Sequence, residues 1–186
     1  MSKKYIEESR LTLAESSLGT LLPRGGWHPR LPSGIKPRQI GEKLWSSAFD
    51  KDQLDDRPLY WQRLILSRSL RECGAESSDL LEFELASRGM LGNQFSGGAT
   101  YRVLVTGFDP FHLDEHIEQG NPSGVVALQH QHNQIALGAG SAEVRSMIFP
   151  VRYEDFDNFL VERVLETFTE KVDMVITVSM GRTGFD

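Results

Sequence analysis

Hydrophobic positions change their period near residue 100. Before it, Leu59, Trp61, Leu64, Ile65, Leu66 and Leu70 form a broad apolar face at helical spacing, which predicts a helix over 57–73. Pro58 suits its first turn, and Gly74 provides a stop. Ser78-Asp79-Leu80 opens a second helix that runs to Arg88 and ends at Gly89, so the two make a helical hairpin. Upstream, Ile6, Leu11, Leu13 and Leu18 are loosely in helical phase. The prolines and glycines of 22–34 exclude long regular elements, and Trp27 within them reads as a packing aromatic.

After residue 100 the pattern alternates strand and helix. Tyr101 to Thr106 is a strand with a continuous Val103-Leu104-Val105 run, as expected where both faces are buried in a parallel sheet. Asn121-Pro122-Ser123 begins a helix on which Val125, Leu128, His132 and Ile135 recur. A second strand spans 143–151. A helix from Tyr153 then carries Phe156, Phe159, Leu160, Val164 and Phe168 as its apolar stripe. A third strand, 173–180, runs into Gly181-Arg-Thr-Gly184. The fold class is therefore α/β: a partial parallel βαβαβ sheet sandwiched by helices, preceded by a mainly helical N-terminal extension. Residues 1–98 form that extension, ending in the Gly/Ser-rich stretch 93–100, and 99–186 form the α/β part. Three strands bury such helices poorly, so the sequence reads as cut off within a domain, with an exposed edge that predicts self-association.

Charge sharpens this division. Residues 1–98 carry 14 Lys+Arg against 13 Asp+Glu, whereas 99–186 carry 6 against 13. An acidic second half argues against nucleic acid as a partner. The longest apolar run, near 172–180, is too short to span a bilayer, and acids occupy the N-terminal positions where a signal peptide needs its apolar core. One cysteine, Cys73, excludes an internal disulfide framework and points to the cytoplasm.

Candidate chemistry concentrates at the end of the first strand. Gly107 permits a sharp exit and Pro110 stiffens the loop, so Phe108 and Phe111 stand where open α/β sheets bind ligands. No Gly-x-Gly-x-x-Gly or Gly-Lys-Ser/Thr follows the strand, and phenylalanines would keep a pyrophosphate from the backbone amides. Neither a nucleotide nor any other cofactor is expected. His112 and His116, with His130 and His132 further on, raise a metal-dependent hydrolase as an option. The intervening Asp114 and Glu115 do not supply the His-Glu-x-x-His arrangement, so these histidines read as solvated surface residues and no metal site is expected. Cys73 falls at the carboxyl end of a helix, where the dipole disfavours a thiolate, and reads as structural.

Thr106-Gly-Phe-Asp-Pro-Phe111, followed by Asn121-Pro-Ser123, resembles the N-terminal part of the pyroglutamyl peptidase I (pyrrolidone-carboxylate peptidase) family. Phe149-Pro150-Val151 and Val178-Ser-Met180 match the same order, and the resemblance covers residues 101–186. It implies a cysteine peptidase that removes N-terminal pyroglutamate from peptides. The Glu, Cys and His of its catalytic apparatus would lie beyond Asp186, so the chain as given is expected to hold no catalytic residue and to be inactive. The substrate-binding residues it implies are Phe108 and Phe111 flanking the lactam, with Met180 and Val151 at the pocket wall. Asp109 orders its own loop. The sequence departs from the family at His112-Leu113 and at Ser179-Met-Gly-Arg-Thr-Gly184. The alternative is a non-catalytic interaction module that keeps part of the peptidase scaffold.

Overall fold

The computed structural model describes residues 34–49, 55–169 and 172–181. The expected helix at 5–18 and the loop around Trp27 lie outside these residues. Among the described residues three helices come first: α1 (Pro37–Ala48), α2 (Arg57–Glu72) and α3 (Ser77–Ala86). Helix α1 was not foreseen in the sequence. It starts at Pro37, is capped by the Gln39 side chain accepting from the Lys36 N–H at 3.2 Å, and buries Leu44, Trp45 and Ala48. It crosses α3 closely, because a Cβ on Gly41 would lie 2.6 Å from the Phe83 carbonyl oxygen.

The sheet follows: β1 (Tyr101–Phe108), α4 (Pro122–His130), β2 (Gln134–Leu137), β3 (Gly140–Phe149), α5 (Tyr153–Asp157), α6 (Leu160–Thr169) and β4 (Met174–Thr177). Strand order is β2-β3-β1-β4. Strand β1 pairs in parallel with β3, from Tyr101 opposite Ala142 to Phe108 opposite Phe149, and with β4, from Val103 opposite Met174 to Thr106 opposite Thr177. The α/β architecture with helices on both faces of a mostly parallel sheet is thus present.

Two elements depart from the periodicity. The helix expected to reach Ile135 stops at His130, because His132 adopts a left-handed φ of 63° and its N–H bonds the Val144 carbonyl. Ile135 instead enters β2, an antiparallel edge strand joined to β3 by the two-residue turn Gly138-Ala139. The single long helix expected after Tyr153 is broken into α5 and α6 at Phe159, whose φ is 57°. Arg163 takes up carbonyls at the break, donating to the oxygens of Asn158 at 2.5 Å and Phe159 at 3.3 Å.

Alternation along the strands sends side chains to two cores. Ile148 faces a cluster with Leu44, Trp45, Leu66, Phe83, Ala127 and Leu128, which joins α1, α2, α3 and α4 to the sheet. Leu104, Met147 and Phe149 face the opposite side, against Val164 and Phe168 of α6. The segment 93–100, which composition marks as a linker, is fastened along β3. Asn93 donates to the Ser146 carbonyl at 2.7 Å, the Ser96 N–H and hydroxyl bond the Glu143 carboxylate, and Arg145 donates to the Gln94 carbonyl. The helices of the first half and the sheet of the second therefore share a core. Among the described residues, no helix is long and apolar enough to cross a membrane.

Candidate functional site

The carboxyl end of β1 is built from an interlocked set of small and polar residues. Gly107 is required because a Cβ there would lie 2.2 Å from the Ser123 carbonyl oxygen. The Phe108 N–H donates to Ser123 Oγ at 3.1 Å, and Ser123 Oγ donates to Asn121 Oδ1 at 2.8 Å. Asn121 caps α4 by accepting from the Ser123 N–H, and its amide donates to the Asp109 carbonyl at 2.9 Å. Phe108, Asp109, Asn121 and Ser123 thus satisfy one another where the chain turns from strand to loop to helix.

Beneath this turn is a buried ion network that links both halves of the chain. Asp109, 4% exposed, accepts from Arg63 Nη1 at 3.0 Å on each oxygen and from Arg88 Nη1 at 2.6 Å. Arg88 also donates to Glu84 Oε1 through Nε at 3.2 Å and Nη2 at 3.0 Å. Glu84 in turn accepts from Arg152 Nη2 at 3.0 Å, and Arg152 Nε donates to Asp155 Oδ2 at 2.5 Å. Burial and the neighbouring Arg88 charge push the Arg63 guanidinium below its ordinary range. Burial opposes the charge on Arg88 too, but Asp109 and Glu84 more than offset it and its affinity for the proton rises. Close by, the Asp56 carboxylate accepts the Asn121 N–H at 3.0 and 3.2 Å. Burial, together with the charges of Asp109 and Asp55, raises its pKa to about 7.

A cavity of about 340 Å³ opens beside the network, lined by Phe108, Val151, Arg152, Tyr153 and Phe156. The Phe108 and Phe156 rings are stacked, with centroids 6.4 Å apart and planes at 23°, while Phe149 tilts against Phe108 from the sheet at 6.1 Å. Of the residues expected to bind substrate, Phe108 and Val151 come together here. Phe111 is half-buried with its ring against His112, centroids 4.9 Å apart, and Met180 is exposed; neither lines the cavity. Sequence reasoning missed Arg152, Tyr153 and Phe156 as cavity residues. Their only signal was position, since they follow the end of β3 as Phe108 ends β1.

The remaining candidates lie apart from this cavity. Cys73 is exposed and unpaired to any other cysteine at the end of α2. His112 adopts a left-handed φ of 56°, and its carbonyl accepts from the His116 N–H. His132 contacts Arg145 and its ring tilts against Phe49, centroids 5.0 Å apart; burial and the Arg145 charge lower its pKa. Among the described residues, no group of three or more His, Cys, Asp or Glu side chains is arranged to hold a metal ion.

Fold and site together define a mixed α/β domain with an aromatic-lined cavity at the carboxyl end of its central parallel strands. Residues 102–185 match the family model described as PA0049, C-terminal domain. The chain is also similar to a Pseudomonas aeruginosa (strain PAO1) protein named "Uncharacterized protein PA0049". The identity is 32% over 178 residues, covering 76% of this chain and 32% of that protein. The chain thus spans about a third of that relative's length. No solved structure matches.

These comparisons overturn the resemblance to pyroglutamyl peptidase I. Neither points to that family, so the cysteine-peptidase activity, the hydrolase assignment and the alternative of a peptidase-derived module fall with it. The physical reason lies in the motif itself. Thr-Gly-Phe-Asp-Pro-Phe and Asn-Pro-Ser answer local demands: a Cβ-free approach at Gly107, a cap at Asn121, and a buried carboxylate at Asp109. A chain that makes this strand–loop–helix turn selects such residues whatever chemistry it performs.

Proposed function

We propose that this domain binds a small molecule bearing a flat ring in the cavity lined by Phe108 and Phe156. The observation that carries the reading is the stacked pair itself, set over a 340 Å³ cavity with Val151 and Tyr153 on its wall. Ring faces of this kind hold flat apolar groups, and the volume falls at the small end of the range for ligand pockets. Arg152 contributes its alkyl stem to the wall, since its head group is engaged by Glu84 and Asp155. Ligand-observed NMR with benzyl alcohol and indole tests the reading. Compounds of that size are expected to bind with a dissociation constant on the order of 1 mM. Val151→Asp, at an exposed position, abolishes binding, and Phe108→Ala weakens it by about three- to tenfold. Equal binding to wild type and both variants would refute the site.

We place the protein in the cytoplasm as part of the same reading. Its single cysteine, exposed and outside any disulfide, supports a reducing compartment. Recovery of a tagged full-length protein chiefly in an oxidising or membrane fraction would contradict this.

A further inference from the structure

The flat ring is one half of the ligand, and the surroundings of the cavity bear on the other half. We infer that the ligand is an organic cation, its positive charge lying beside the ring; this inference rests on the ring-binding reading above. Phe108, Tyr153 and Phe156 present three aromatic rings to one cavity, and the negative faces of such rings attract alkylated ammonium groups. Tyr153 is 90% exposed, so its ring is available at the mouth without any rearrangement.

The charge around the cavity favours the same sign. The one cation in its wall, Arg152, is matched by two carboxylates, Glu84 at 3.0 Å and Asp155 at 2.5 Å. Glu154 and Asp157 of α5, which flank the cavity residues Tyr153 and Phe156 in sequence, are exposed. Glu154 and Asp157 thus add two exposed carboxylates on the short helix that carries Tyr153 and Phe156. An anionic ligand would meet this field unfavourably, and Arg152 would have to give up carboxylates that already satisfy it. A neutral ring would gain nothing from the acids. A cation gains from the rings and the acids together.

The test compares benzyltrimethylammonium, benzyl alcohol and phenylacetate, three ligands with the same ring and different charge, by NMR titration of the 186-residue protein. Benzyltrimethylammonium is expected to bind about three- to tenfold more tightly than benzyl alcohol at low ionic strength, with phenylacetate the weakest. The advantage shrinks at 0.5 M NaCl, because exposed charges are screened there. It also shrinks in the Glu154→Gln/Asp157→Asn variant, whose exposed substitutions leave the fold unchanged. Benzyl alcohol binding as well as the cation overturns the inference while leaving the ring site standing. Preference for phenylacetate does the same and assigns Arg152 as the discriminating group. Failure of every ring compound to bind removes the site and the inference together.

Discussion

Asp109 offers the sharpest perturbation, because one carboxylate holds two buried guanidiniums. Asp109→Asn keeps the shape of the side chain and removes its charge. Arg63, 1% exposed, then loses its carboxylate partner, and its Nε and Nη2 already meet no acceptor among the described residues. Arg88 keeps Glu84 but loses its 2.6 Å contact. The asparagine oxygen can replace only part of three charge-assisted contacts, so the cost approaches that of breaking a buried ion pair, about 3–5 kcal/mol. For a chain of this length that corresponds to a fall in Tm of roughly 10 °C. Urea unfolding followed by circular dichroism measures it, and a double-mutant cycle with Arg63→Met separates pairing from packing. Once Arg63 is gone, Asp109→Asn should cost less by about 1 kcal/mol or more, since one of the two stranded charges has been removed. A loss below about 1 kcal/mol for Asp109→Asn, with no coupling to Arg63, would refute the claim that this network joins the helices to the sheet.

Two further predictions follow from the same region. Asp56 is held mostly protonated below pH 7, and its folded pKa, about 7, lies above the ordinary carboxylate value. The folded protein therefore binds more protons than the unfolded chain between about pH 4 and 7, and stability falls as pH rises through that window before levelling off, by up to about 4 kcal/mol. Asp56→Asn should flatten this slope in urea denaturation at pH 5 and pH 8, and an unchanged slope would show that another group titrates. Gly107→Ala places a methyl carbon 2.2 Å from the Ser123 carbonyl oxygen, a backbone atom with little room to yield, and should cost about 2–3 kcal/mol by the same assay. A neutral Gly107→Ala would mean that β1 and α4 are not in close contact.

How much of this was legible in the sequence divides along physical lines. Local signals were reliable: Pro58 and Gly74 bracket α2, and Asn121-Pro122 opens α4 through a side-chain cap. Periodicity misled where one residue with a left-handed φ redirects the chain. His132 ends a helix that the spacing of Ile135 extends, and Phe159 breaks one that the spacing of Val164 and Phe168 continues. Neither residue is a glycine, so neither announces the turn. The ion network was invisible because its partners are far apart in sequence; Asp109, which reads as a loop-ordering residue, meets Arg63 and Arg88 only after the helices dock on the sheet. Composition alone also made 93–100 a linker, although the buried Asn93 and the paired Glu143 tie it to β3.

The cavity was half legible. Phe108 stood out as an aromatic at a strand's carboxyl end, Val151 was named only through the peptidase resemblance, and Phe156 belonged to a continuous helical stripe that the structure interrupts. The familiar-looking motif around Phe108 carried structural information, and its match to a peptidase was incidental to that.

The proposed ligand carries a ring that rests in the cavity lined by Phe108, Val151 and Phe156. Intermolecular NOEs between benzyltrimethylammonium and the 186-residue protein test this placement most directly. Contacts are expected from the ligand's ring protons to the side chains of Phe108, Phe156 and Val151, and from its methyl protons to the ring of Tyr153. Contacts confined to other residues, or none at saturating ligand, would contradict it.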